Sequence, residues 1–193
     1  MISALTLVPV VSVLGIYLAR VVELGTKRNT VPGPVKENWT LRLFVLTGTL
    51  MLACSLAEFF LRQRSLYWPT FASGWTLAIV SFVVRRKAIA ALGQFWSLHV
   101  EIRENHKFVQ TGPFRWVRHP TYLSMVLEMG CVAVIANAWY SLLVVPFCFC
   151  PILWVRLHLE EAALVEKFGD AYRAYQKSTP ALFPYKWPHY VEL

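Results

Sequence analysis

The sequence predicts an all-α integral membrane protein with about five transmembrane helices. Three observations lead there. The 193 residues are 56% hydrophobic and 16% charged, too apolar for an ordinary soluble domain. The apolar residues gather into runs of about membrane-spanning length. The basic residues gather between those runs, at alternate links. Aromatic residues make up 15% of the chain, with eight Trp, as suits two membrane–water interfaces. The net charge of +8 therefore points to anionic headgroups and positive-inside loops rather than to nucleic acid.

The first run, residues 1–19, reads as a spanning helix. A signal peptide is set aside because no basic stretch precedes the run and no small-residue cleavage site follows it. A polar loop, 20–40, carries Pro32, Gly33 and Pro34, which punctuate loops. The second span is 41–61, with Glu58 near its end reading as a carboxylate that snorkels to the interface. The link 62–67 leads to a third span, 68–84, closed by Arg85, Arg86 and Lys87. A polar stretch, 85–118, follows. A fourth run, 122–136, and a fifth, 139–155, flank a chargeless turn at Asn137–Ala138, which predicts a tight helical hairpin. Residues 156–179 mix apolar and charged residues at helical spacing and predict a C-terminal amphipathic cytoplasmic helix. Gly169 is a point where it can bend and Pro180 ends it.

Lys and Arg number four in loop 20–40, two in link 62–67, seven in 85–118 and none in 137–138. That alternation predicts an outside N-terminus and a cytoplasmic C-terminus. The organisation expected is an N-terminal unit, 1–84, of three spans and a catalytic region, 85–193. Cys54, Cys131, Cys148 and Cys150 all lie in apolar runs, where cysteine packs as a small hydrophobe. No metal site is expected, since no ligand cluster of suitable spacing accompanies them.

The charge that needs explaining is RWVRHPTY, 115–122, at the mouth of the fourth run. Pro120 suits a first helical position. That places His119 at the N-cap, where unpaired backbone N–H groups favour an anion. Arg115 and Arg118 read most simply as interfacial anchors. Past the fifth run come Arg156, Glu160 and Glu161. Arg156 and Glu160 stand four residues apart on one helix face. A surface ion pair there would be worth little alone. The predicted hairpin, however, brings 118–122 and 154–161 together, and two charged clusters converging at a membrane surface imply a polar ligand.

GPFRWVRHPTY, then an apolar hairpin, then R-x-x-x-E-E-x-x-L and FGDAYRAYQKSTPALFP, together resemble the isoprenylcysteine carboxyl methyltransferase family, over residues 92–184. The resemblance implies S-adenosylmethionine as cofactor, bound at the cytosolic face, and S-adenosylhomocysteine as product. By position it implies cofactor binding by His106, Lys107, Phe108, Val109, Phe114, His119, Pro120, Thr121, Tyr122 and Glu160. It makes Arg156 the catalytic residue that holds the substrate's reacting group, with Glu161 beside it in the substrate-binding set. Phe114 stands where eukaryotic members have Tyr, so a hydroxyl contact is lost. The chain looks like a prokaryotic relative without the extra N-terminal spans, which would put it in the cell membrane.

The implied function is methylation of the carboxylate of a lipophilic substrate such as a C-terminal prenylcysteine. A carboxylate of pKa about 3.5 is already ionised, so no general base is needed; alignment and desolvation supply the rate. The enzymatic alternative is a phospholipid N-methyltransferase, whose ammonium substrate needs a base, with His119 or Glu161 available. A transporter or scaffold is the non-enzymatic alternative. A transporter should carry repeats and broken helices in both halves, whereas the polar residues here lie in one half at one face. The partners expected are the prenylcysteine-like substrate and membrane lipids, not nucleic acid.

Overall fold

The computed structural model describes residues 4–26, 35–37, 39–96, 100–101 and 109–187. The chain is built of helices: α1 (Ala4–Gly25), α2 (Trp39–Leu61), α3 (Trp68–Leu92), α4 (Pro120–Ile135), α5 (Cys150–Phe168) and α6 (Asp170–Ser178). A 3-10 turn, Ser141–Leu143, and a π-helical stretch, Val145–Phe149, lead into α5. The wide turn falls at Pro146, beside Pro151, where missing N–H groups break the α-helical ladder. A short antiparallel ladder pairs β1 (Val35–Glu37) with β2 (Val100–Glu101). It joins the two long polar loops at one end of the bundle, as their shared predicted side requires.

The helices α3 and α4 form the most extensive pair. Gly74 sets their closest approach: a Cβ there would meet Ile135 Cγ1 at 2.5 Å and its backbone nitrogen at 2.8 Å. The buried core draws Val13 from α1, Phe44, Met51 and Phe59 from α2, Tyr122 and Met129 from α4, and Phe149 and Leu153 from the fifth run. Large apolar side chains outside it, such as Leu18, Leu46, Phe147 and Trp154, are exposed, as expected of a surface solvated by lipid.

Three segments are long and apolar enough to cross a membrane: Leu5–Gly25, Trp39–Leu61 and Ser141–Phe168. The apolar α4 is shorter, at 16 residues. The third helix has the length, but it does not stop at the basic triplet as expected. It continues through Arg85–Lys87 to Leu92, because Arg85 is buried and ion-paired, and Ala88 is buried as well. Likewise α1 continues past residue 19 to Gly25, with Arg20 and Glu23 paired across one turn at 3.0 Å.

Two further expectations change. Glu58 does not snorkel. It turns inward and accepts from Ser141 N and Ser141 Oγ, both at 2.8 Å, and from Tyr140 N at 3.3 Å. It thereby caps the returning helix of the hairpin, whose first N–H groups need acceptors. The C-terminal segment is two helices rather than one. Gly169 adopts φ 56°, a conformation that glycine takes without a Cβ clash, and α6 folds back from it. The chain then returns along the start of α4, with Arg118 N donating to Pro180 O and His119 N to Ala181 O.

Candidate active site

The hairpin does bring the two charged clusters together. Pro120 opens α4 as its first residue, and His119 precedes it without a side-chain cap. The imidazole of His119 instead faces α5. Its Nε2 lies 3.0 Å from Glu161 Oε1 and its Nδ1 lies 3.7 Å from Glu160 Oε1. The ring stacks on Tyr122, centroids 5.4 Å apart and planes 13° from parallel. His119 is almost fully buried, whereas the Glu160 side chain is 32% exposed. Glu160 is thus the carboxylate of the group that a polar ligand can reach.

Below it runs a chain of hydrogen bonds. The Tyr122 hydroxyl donates to Glu160 Oε2 and accepts from Arg156 Nε at 2.9 Å. Arg156 Nη1 donates to Thr40 Oγ1 on α2 at 2.7 Å. Arg156 is 4% exposed and Thr40 wholly buried. The guanidinium also lies 5.7 Å from the centroid of Phe44. A buried cation costs several kcal/mol unless it is well partnered. Thr40, Tyr122 and Phe44 therefore hold it in one orientation, a precondition for aligning a substrate carboxylate.

Glu161 is engaged by side chains from both sides of the α4–α6 seam. Its Oε1 receives Arg118 Nη2 at 2.6 Å and Nε at 2.8 Å, and its Oε2 receives Gln176 Nε2 at 3.0 Å. Arg118 is not a headgroup anchor: its Nη1 donates to the carbonyls of Gln176 and Thr179, at 2.8 and 2.5 Å. The pair bolts the end of α6 to the start of α4. Tyr172 and Tyr175 complete this seam. Burial pushes both phenols well above their ordinary range, helped in each by the Glu161 charge, so both remain hydroxyls. Tyr175 donates to Phe114 O at 2.5 Å, so Phe114, whose ring is buried, is fixed through its backbone.

Of the other expected residues, Thr121 accepts from Ser124 Oγ through its carbonyl at 2.6 Å, within α4. Val109 is half-buried, ahead of the Gly112–Arg115 turn. His106, Lys107 and Phe108 lie outside the described residues. Sequence reasoning missed Thr40, Arg118 in its inward role, Gln176, Tyr172 and Tyr175. Thr40 carries no signal in the sequence, because a single Thr at a loop–span boundary is unremarkable until α2 packs on α5.

An apolar groove of about 90 Å³ leads away from Phe44 between α1, α2 and α4, with Gly48, Met51 and Val132 in its wall. The site therefore has a polar, partly open face at Glu160 and an apolar face at Phe44, with Arg156 between them.

The family model described as isoprenylcysteine carboxyl methyltransferase (ICMT) matches residues 75–166. An uncharacterized protein of Bacillus subtilis, YpbQ, is 27% identical over 129 residues, covering 64% of this chain and 73% of that one. The protein-S-isoprenylcysteine O-methyltransferase of Schizosaccharomyces pombe is 33% identical over 108 residues, 52% of this chain and 44% of that one. The enzyme of the same name from Mus musculus is 25% identical over 158 residues, 72% and 52%. The chain thus spans about half the length of these two methyltransferases. The solved structure of the eukaryotic intramembrane Ras methyltransferase ICMT superposes with a TM-score of 0.67 at 19% identity, over 94% of this chain and 70% of that one. At that identity the likeness is one of fold.

Proposed function

We propose that this chain, whose residues 75–166 match the family model described as isoprenylcysteine carboxyl methyltransferase, methylates the carboxylate of a lipophilic acceptor, a C-terminal prenylcysteine or an analogue of it. The observation that carries this reading is the position of Arg156, buried and oriented between an apolar groove and a polar, partly exposed carboxylate. An amphiphile and a polar methyl donor would meet there from opposite sides.

S-adenosylmethionine supplies an electrophilic methyl group when bound. The donor set suits it: Glu160 offers a reachable carboxylate for a cationic or hydroxyl-bearing ligand, with His119 and Tyr122 holding that carboxylate in place. Phe114, Pro120, Thr121 and Val109 belong to the same proposed cofactor set, with His106, Lys107 and Phe108, which precede Val109 in the sequence. Arg156 attracts and orients the acceptor carboxylate through its guanidinium charge. The surrounding Phe44 and Thr40 exclude water, which strengthens that interaction. Glu161 supports the site by fixing α6 to Arg118 and His119 rather than by touching the acceptor.

The proposed topology has five spans with the N-terminus outside, so that the β1–β2 ladder, His119, Glu160 and the C-terminus share the cytoplasmic face. The catalytic part is 85–193, with Thr40 contributed by the N-terminal unit.

The test uses purified protein with methyl-labelled S-adenosylmethionine, offered farnesylcysteine and, separately, phosphatidylethanolamine. Label released by alkali as methanol from the farnesylcysteine reaction is expected. Alkali-stable label in the phospholipid headgroup would replace the proposal with N-methylation. Binding of S-adenosylmethionine without transfer to farnesylcysteine would overturn the acceptor class.

A further inference from the structure

Four charges of α1, α3 and α4 meet inside the bundle, away from the site above. Glu128 lies eight residues into α4, about 12 Å from Pro120 at 1.5 Å per residue. Its Oε2 takes Arg85 Nη1 and lies 3.8 Å from Arg20 Nε. Glu23 Oε2 takes Arg20 Nη1 at 3.0 Å and lies 3.1 Å from Arg85 Nε as an ion pair without hydrogen-bond geometry. All four side chains are at most 20% exposed. Ionisable residues at such depth are costly and mark functional sites.

These charges form the floor of a cavity of about 740 Å³ whose walls are apolar, with Gly15 on α1 and Trp75 and Phe82 on α3. The volume is within the range of sites for small molecules. The cavity exists because α1 packs on α2 and α4 rather than on α3, while the Glu23–Arg85 pair spans the gap at one end. At the rim Arg86 lies over the Phe82 ring, 5.5 Å from its centroid. The cavity thus presents three guanidiniums and two carboxylates beneath an apolar wall.

We propose that this cavity is a second amphiphile site, distinct from the Arg156 centre, that holds a phospholipid with a primary-ammonium, zwitterionic headgroup. The charge pattern selects it. The phosphate faces Arg85, Arg86 and Arg20, and guanidinium is well matched to phosphate. The ammonium faces Glu128 and Glu23, since a carboxylate accepts from several donors at once. An anionic lipid without the ammonium brings no donor to the carboxylates' further acceptor positions, and a choline headgroup has no N–H to donate. The acyl chains lie along the α1 and α3 walls. Arg20 and Glu128 also line the apolar groove that reaches Phe44, so the bound lipid shares a wall with the groove assigned to the acceptor. The lipid is a resident ligand and receives no methyl group.

The experiment is native mass spectrometry of the full chain in mild detergent, titrated with phosphatidylethanolamine, phosphatidylcholine and phosphatidylglycerol of matched chains. One phosphatidylethanolamine per chain should be retained about tenfold better than either of the others, a discrimination of one decade in affinity. Gly15→Phe places a ring in the cavity without touching the ion pairs, because a Cβ at Gly15 meets nothing within 4 Å. It should abolish the preference while the chain stays folded. Arg86→Ala, at the exposed rim, should lower retention severalfold. Equal retention of the three lipids, or a preference that survives Gly15→Phe, would overturn the site. So would methylation of the retained lipid in the presence of labelled S-adenosylmethionine.

Discussion

The cluster around His119 and the tetrad around Glu128 are both buried charge networks on α4, and they are built in opposite ways. The first comes from two short motifs, 118–122 and 156–161, on the two arms of one hairpin. The second comes from an i, i+3 pair at 20 and 23 and from residues at 85 and 128, on three separate helices. The first keeps one partly exposed carboxylate, Glu160, which a polar ligand can reach. In the second, every carboxylate is paired with a guanidinium from another helix or turn. It fastens α1 to α3 and α4, where backbone packing leaves a cavity. The contrast is between a buried charge network that leaves one carboxylate reachable from outside and one whose charges neutralise one another between helices.

Substitutions sharpen the contrast, the largest effect first. Glu128→Ala leaves the buried Arg85 with its ion pair to Glu23 and should cost up to about 3–5 kcal/mol, read as lowered thermal stability in detergent. Replacing both members, Arg85→Met with Glu128→Leu, should recover most of that loss. If Glu128→Ala is as stable as wild type, the tetrad is not a fastening. Arg156→Ala should remove about 100-fold or more of methyl transfer, about 2.7 kcal/mol of transition-state stabilisation, with the protein still inserted. Arg156→Lys should restore little, because a point charge does not replace the planar guanidinium that Tyr122 and Thr40 hold. Equal activity in Arg156→Ala would break the proposed role.

Smaller effects test the supports. Glu58→Ala removes the acceptor for Tyr140 and Ser141 and should cost about 1–2 kcal/mol, the range of a lost helix cap; activity per folded molecule should not change. Tyr175→Phe removes the donor to the Phe114 carbonyl and should cost about 1 kcal/mol. A few-fold weaker binding of S-adenosylmethionine should accompany it, measured by calorimetry, if the α6 seam shapes the cofactor face. Unchanged binding would make that seam structural alone.

Much of the fold was legible because membrane helices obey strong local rules. Apolar runs of spanning length, a chargeless hairpin turn and Pro120 ahead of an apolar stretch are properties of consecutive residues, and the helices formed there. Helix ends were less legible. Arg85–Lys87 read as a stop, but Lys, Arg and Ala are good helix formers, and a buried partner for Arg85 outweighed the cost of carrying the charge onward. In the site, Arg156, Glu160, His119 and Tyr122 were legible because the hairpin forces their two motifs together. Glu161 was legible as a member of the cluster but its partners were not, since nothing local shows that Arg118 and Gln176 would reach it.

By itself the amino-acid sequence determined that this chain is a helical membrane protein, which motifs meet at the hairpin's open end, and the family those motifs resemble. Those follow from hydropathy and from spacing along a helix, which act between near neighbours. Only the tertiary structure decided that Thr40 would orient Arg156, that Glu58 would cap the hairpin, and that Arg20, Glu23, Arg85 and Glu128 would converge. Those pairings join residues up to 116 positions apart. Their physical cause is the requirement that every charge or polar group removed from water finds a partner, and which partner it finds is settled by how the helices pack.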